Sequence, residues 1–150
     1  MGGKKAYLFA AKELKSRKLV HYAVKERPTM DLAIEGLDYY LMNLPKDIRR
    51  KTIVHSDQGY HFTSLQFRSL LNFYEVSQSM SRKGNCLDNT PIESFFGHLK
   101  DEIDYKKCST FNEVRDVVKS YISYYNNERP QWSLKRKTPA EAGVELGLVF

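Results

Sequence analysis

Near the N-terminus, apolar residues fall in two short runs, Tyr7 to Ala11 and Leu19 to Val24, separated by the basic stretch Lys15-Ser16-Arg17. Two strand-like runs around a polar turn predict a β-hairpin. After Pro28-Thr29 the period changes. Met30, Ala33, Ile34, Leu37, Leu41 and Leu44 recur at helical spacing until Pro45, which predicts a helix with one buried stripe. Thr52-Ile53-Val54-His55 is a short apolar strand that delivers Asp57 at its C-terminal end. Ser64 opens a second helix through Phe67, Leu70, Leu71 and Phe73-Tyr74, and residues 76–79 predict another short strand.

Residues 81–89 are polar and contain Gly84, so regular structure is not expected there. Thr90-Pro91 with Glu93 is a helix-start signature, and the apolar face that follows is Ile92, Phe95, Phe96, Leu99 and Ile103. Thr110 and Glu113 form a second such signature, with Val114, Val117, Val118, Tyr121, Ile122 and Tyr125 facing inward. A last helical turn is expected at Pro139 to Ala142, inside a basic C-terminal stretch. Strands alternating with helices make the chain α/β. No repeat or linker divides it, so residues 1–140 are assigned to one core and residues 141–150 to a tail.

Charge adds a partner class. The 150 residues carry a net charge of +6, which favours a polyanion. The two cysteines, Cys86 and Cys108, are not at zinc spacing and fit a reducing compartment. No apolar run reaches the roughly 20 residues of a membrane span, and no signal-peptide core is present, so a cytoplasmic protein with no membrane partner is expected.

The candidate chemistry lies in two carboxylates. Asp57 follows a strand in His55-Ser-Asp-Gln-Gly59, and Glu93 begins a helix 36 positions later (93 − 57). Carboxylate oxygens suit Mg²⁺, which keeps several waters and needs few protein ligands. Alone, Asp57 reads sooner as a turn residue before Gly59, and Glu93 as a capping residue. Helical spacing places Glu93, Gly97, Lys100 and Asp104 on one polar stripe, with Lys100 about 10 Å beyond Glu93. That stripe suits either a solvated face or a metal site with a phosphate contact.

The motifs together resemble the C-terminal part of the catalytic domain of bacterial insertion-sequence transposases of family three, relatives of retroviral integrases. The resemblance rests on His55-Ser-Asp-Gln-Gly59, Ser79-Met-Ser-Arg-Lys-Gly-Asn-Cys-Leu-Asp-Asn89, Ile92-Glu-Ser-Phe-Phe-Gly-His-Leu-Lys100-Asp-Glu102, Tyr124-Tyr-Asn-Asn-Glu-Arg-Pro130 with Leu134, and Thr138-Pro139. These span about residues 50 to 140. The resemblance implies a ribonuclease-H-like mixed sheet flanked by helices, an Asp-Asp-Glu triad holding two Mg²⁺ or Mn²⁺ ions, and the cutting and joining of DNA ends. Asp57 matches the second acid, Glu93 the third, and Lys100 the basic residue after it.

In that family the first Asp lies on an earlier strand. This chain starts Met1-Gly-Gly-Lys-Lys-Ala-Tyr7, so the strand and its acid are expected to be missing and the middle of the sheet open. Glu13, Asp31 and Asp38 make poor substitutes. Lys100, Arg82, Lys83 and Asn85 are expected to contact DNA, both element ends and target, in a homo-oligomer. His55 and His61 are expected to be hydrogen-bonded, and Tyr121, Tyr124, Tyr125 and Trp132 to be packing residues. A non-catalytic nucleic-acid-binding or oligomerisation module is the competing expectation. A nuclease for RNA–DNA hybrids is disfavoured by the Tyr124–Pro130 segment.

Overall fold

The computed structural model describes residues 5–29, 31–56, 60–80 and 90–148. The chain forms two compact units. One is discontinuous and joins residues 1–27 to residues 91–150; the other is residues 28–90. Both crossings fall at an X-Pro bond, Arg27-Pro28 and Thr90-Pro91, where the residue before proline is pushed from helical towards extended backbone.

In the discontinuous unit, β1 (Tyr7–Lys12) and β2 (Leu19–Lys25) form the expected antiparallel hairpin, with Tyr7 opposite Lys25 and a register shift between Ala11 and Lys12. The Glu13 carboxylate closes the turn, accepting from Ser16 N at 2.7 Å, the Ser16 hydroxyl at 2.7 Å and Lys15 N at 3.0 Å. Burial works to raise this carboxyl's pKa, but the hydrogen bonds outweigh it and hold it below its ordinary value. Glu13 is a turn residue, as its place in the sequence suggests.

The hairpin packs with α5 (Thr90–Glu102) and α6 (Phe111–Asn127) in one core of Leu19, Phe95, Leu99, Cys108, Val114, Val118, Tyr121, Ile122 and Tyr125. Helix α6 starts where expected: Thr110 Oγ1 accepts from Glu113 N at 3.2 Å, while the Glu113 carboxylate accepts from Ser109 N at 2.6 Å. Deep in the unit, Asn126 replaces a strand partner for Leu19. Its side chain accepts from Leu19 N and donates to Leu19 O, both at 2.9 Å. Such pairing satisfies buried backbone groups that would otherwise cost about 1–3 kcal/mol each. The C-terminal helix α7 (Pro139–Glu145) is longer than the single expected turn, and Thr138 and Glu141 form a complete capping box at its start.

In the other unit, α1 (Asp31–Asn43) buries Ala33, Leu37 and Leu41, with Leu44 just beyond its end. The short helix α2 (Lys46–Lys51), which the sequence pattern does not predict, leads to β3 (Ile53–Ser56). Then α3 (Tyr60–Thr63) and α4 (Leu65–Phe73), the latter capped by Ser64, cross over to β4 (Ser77–Met80). β3 and β4 are parallel, with His55 opposite Ser79 and Ser56 opposite Met80. The described strands therefore form two separate two-stranded sheets, one antiparallel and one parallel. Asp38 is committed to packing here, accepting a 2.6 Å hydrogen bond from the Tyr74 hydroxyl.

Candidate active site

The strand that leads to Asp57 is fixed at its C-terminal end by side chains. His55 Nδ1 and Ser79 Oγ are 2.7 Å apart across the ladder. Gln78 Nε2 donates to Phe62 O at 2.9 Å and to Ser56 Oγ at 3.3 Å, tying β4, β3 and α3 together. His55 is thus hydrogen-bonded, as expected. Asp57, Arg82, Lys83 and Asn85 lie outside the described residues, as does the His61 side chain.

Glu93 lies in the first turn of α5, exposed. Its carboxylate makes no hydrogen bond or ion pair among the described residues. Lys100 lies exposed in the last turn of the same helix, about 10 Å further along at 1.5 Å per residue. It too has no ion-pair partner among the described residues. At Gly97, between them, an added Cβ would meet nothing within 4 Å, so this stretch of helix is open to close approach.

Asp104 does not continue the stripe. Helix α5 stops at Glu102, and Asp104 precedes a 3-10 turn at Tyr105–Lys107, pairing with Lys107 at 3.0 Å. Helical spacing overreached because it was extended past the last helical residue.

The sequence motifs also contain a group to which they assign no role. Arg129 grips Glu102, with Nη2 at 2.7 Å from one carboxylate oxygen and Nε at 3.1 Å from both. The Tyr121 hydroxyl donates to the same carboxylate at 2.6 Å, and His98 Nδ1 lies 3.4 Å from Arg129 Nη2. The Arg129 hydrogen bond comes first among the causes that hold the Glu102 carboxyl below its ordinary pKa. Burial, then Glu102, pushes the Tyr121 phenol well above its own, keeping it a proton donor. The network locks the end of α5 to the end of α6. Tyr121 and Tyr125 are core residues as expected, but Tyr124 and Trp132 are exposed, Trp132 by 80%. Trp132 follows the end of α6 in a turn where the Arg136 guanidinium lies over its ring, 4.5 Å from the centroid.

Among the described residues, which do not include Asp57, no three metal-binding side chains come together. The donor set nevertheless fits a divalent hard cation, being carboxylate without cysteine or paired histidine.

This helix-flanked α/β arrangement, with an acid after a strand and another opening α5, is that of an integrase core, and the chain belongs to the integrase core domain family. Descriptions of that family match residues 1–86, more than half of the chain, and in a second form residues 74–139. The chain is 38% identical over 142 residues to the putative transposase InsK for insertion sequence element IS150 of Escherichia coli, covering 94% of this chain and 50% of that protein. It is 35% identical over 138 residues to the transposase for insertion sequence element IS904 of Lactococcus lactis, covering 90% and 53%. The chain thus spans about half the length of these curated relatives. The catalytic core of bovine immunodeficiency virus (BIV) integrase superposes with a TM-score of 0.61 over 95% of this chain and 88% of that one, at 17% identity. The fold is therefore ribonuclease-H-like, and the relatives it matches at 35–38% identity are insertion-sequence transposases. Among the described residues no helix is long and apolar enough to cross a membrane.

Proposed function

We propose that this core carries out metal-dependent cleavage and strand transfer of DNA during transposition. The observation that carries the reading is the order Asp57, Glu93, Lys100 inside an integrase core, with Glu93 and Lys100 both exposed on α5. Asp57 and Glu93 would hold Mg²⁺ or Mn²⁺. A bound ion supplies charge stabilisation to the attacking and leaving oxygens of an in-line displacement. A two-ion site takes a further carboxylate besides these two. Lys100, Arg82, Lys83 and Asn85 would position DNA through its phosphates, a contact that weakens with salt and carries little sequence information. The element ends and the target would be held in a homo-oligomer of the chain.

Incubation of the protein with a labelled oligonucleotide duplex and Mg²⁺ or Mn²⁺ tests the reading. Cleaved or joined products are expected, lost in Asp57→Asn and in Glu93→Gln. DNA binding without products under either metal would contradict the catalytic reading and leave a nucleic-acid-binding module.

A further inference from the structure

Two cations flank one buried ring in the discontinuous unit, and the charge of a third acts on it. Lys12 ends β1 just past the register shift, opposite Leu19. Its Nζ stands 5.9 Å from the Tyr125 ring centroid and donates to Pro91 O at 2.9 Å. Arg129 brings its guanidinium carbon to 5.8 Å from the same centroid. Arg17 sits in the hairpin turn with φ 67°, a left-handed conformation that costs a non-glycine residue of order 1 kcal/mol or more. Its charge acts on both Lys12 and Tyr125.

The charges are poorly balanced. Glu102 offsets Arg129, but neither Lys12 nor Arg17 has a carboxylate partner among the described residues. Burial first, and then Arg17 and Arg129, pull the Lys12 pKa down to about 8. A left-handed arginine, locally unfavourable, thus adds its charge to those of Lys12 and Arg129. An oxyanion would relieve the repulsion among them.

The surroundings favour a polymeric anion. Lys15 and Lys18 share the turn with Arg17, and Lys135 and Arg136 follow the exposed Trp132. Both segments are held at α7. An added Cβ at Gly143 would lie 3.8 Å from the Ser16 Cβ, and Lys137 pairs with Glu145.

We propose that Lys12, Arg17 and Arg129 form a phosphate-binding site for the DNA backbone. It rests on the reading that the domain acts on DNA, and adds a contact formed by none of the residues assigned above.

The test is fluorescence anisotropy of the full chain with a labelled duplex across a salt series. Lys12→Met and Arg17→Gln are each expected to weaken binding several-fold and to lower the slope of log K against log salt by about 0.9, the value for one lost phosphate contact. Melting temperatures, expected to hold or rise in Lys12→Met, show that the variants are folded. Unchanged affinity and slope in both variants would overturn the site while leaving the DNA reading intact. No binding by the wild type would overturn the DNA reading and the site with it. Inorganic phosphate at fixed ionic strength, followed by Trp132 emission, separates the two sources of the anion. A response to it that needs Lys12 and Arg17, with DNA binding unaltered, would also overturn the proposal.

Discussion

Single side chains in the discontinuous unit hold opposite charge economies. Glu102 gains from its neighbours and Lys12 loses. The Glu102 and Arg129 side chains are 32% and 18% exposed, so their bond is only partly screened. Glu102→Gln is expected to cost about 1–2 kcal/mol in chemical denaturation, the scale of one charge-assisted, part-exposed hydrogen-bond group. Because the folded Glu102 and Glu13 carboxyls lie below their ordinary value of 4.5, their contribution is present above pH 4.5 and lost as pH falls further. Glu102→Gln should therefore flatten the acid limb of the stability curve. Lys12 works the other way. Its folded pKa of about 8 is below the ordinary 10.5, so the protonated lysine destabilises the fold until pH rises past 8. Stability should climb from pH 8 towards 10, above which the raised tyrosines Tyr121 and Tyr125 reverse the trend. Lys12→Met should raise the melting temperature at pH 7 and abolish that climb; an unchanged profile would contradict the account.

At the scale of elements, local chemistry decides where helices begin. Thr138→Ala removes one arm of the α7 capping box and is expected to cost about 1 kcal/mol, measured by urea denaturation. Gly97 is a glycine inside α5 with open space around it, so Gly97→Ala should stabilise the fold by about 0.5–1 kcal/mol. If DNA passes closely over α5, the same substitution should weaken DNA binding; unaltered binding would contradict that approach. The caps at Ser64 and Thr110 were legible in the sequence because each signal spans only four residues, whereas the Thr138 capping box was not read there. So were the buried faces of α1, α5 and α6, which repeat at helical spacing. The helices α2 and α3 were not, being too short for a period to register. Nor was the exposure of Tyr124 and Trp132, since an aromatic residue's environment depends on what packs over it.

Over the whole molecule, legibility fell with sequence distance. The acids and Lys100 could be named because a familiar motif carried them, whereas the grip of Arg129 on Glu102 joins residues 27 positions apart and needed the fold. The convergence of Lys12, Arg17 and Arg129 on Tyr125 brings together residues from both ends of the chain. Family membership accounts for the architecture; it does not by itself make Asp57 and Glu93 share an ion. Mn²⁺ titration of the isotopically labelled protein, followed by paramagnetic broadening of backbone amide signals, tests that sharing directly. Broadening centred on the first turn of α5 around Glu93, and abolished by Asp57→Asn, is the predicted result. No broadening there, or broadening that survives Asp57→Asn, would contradict a shared metal site.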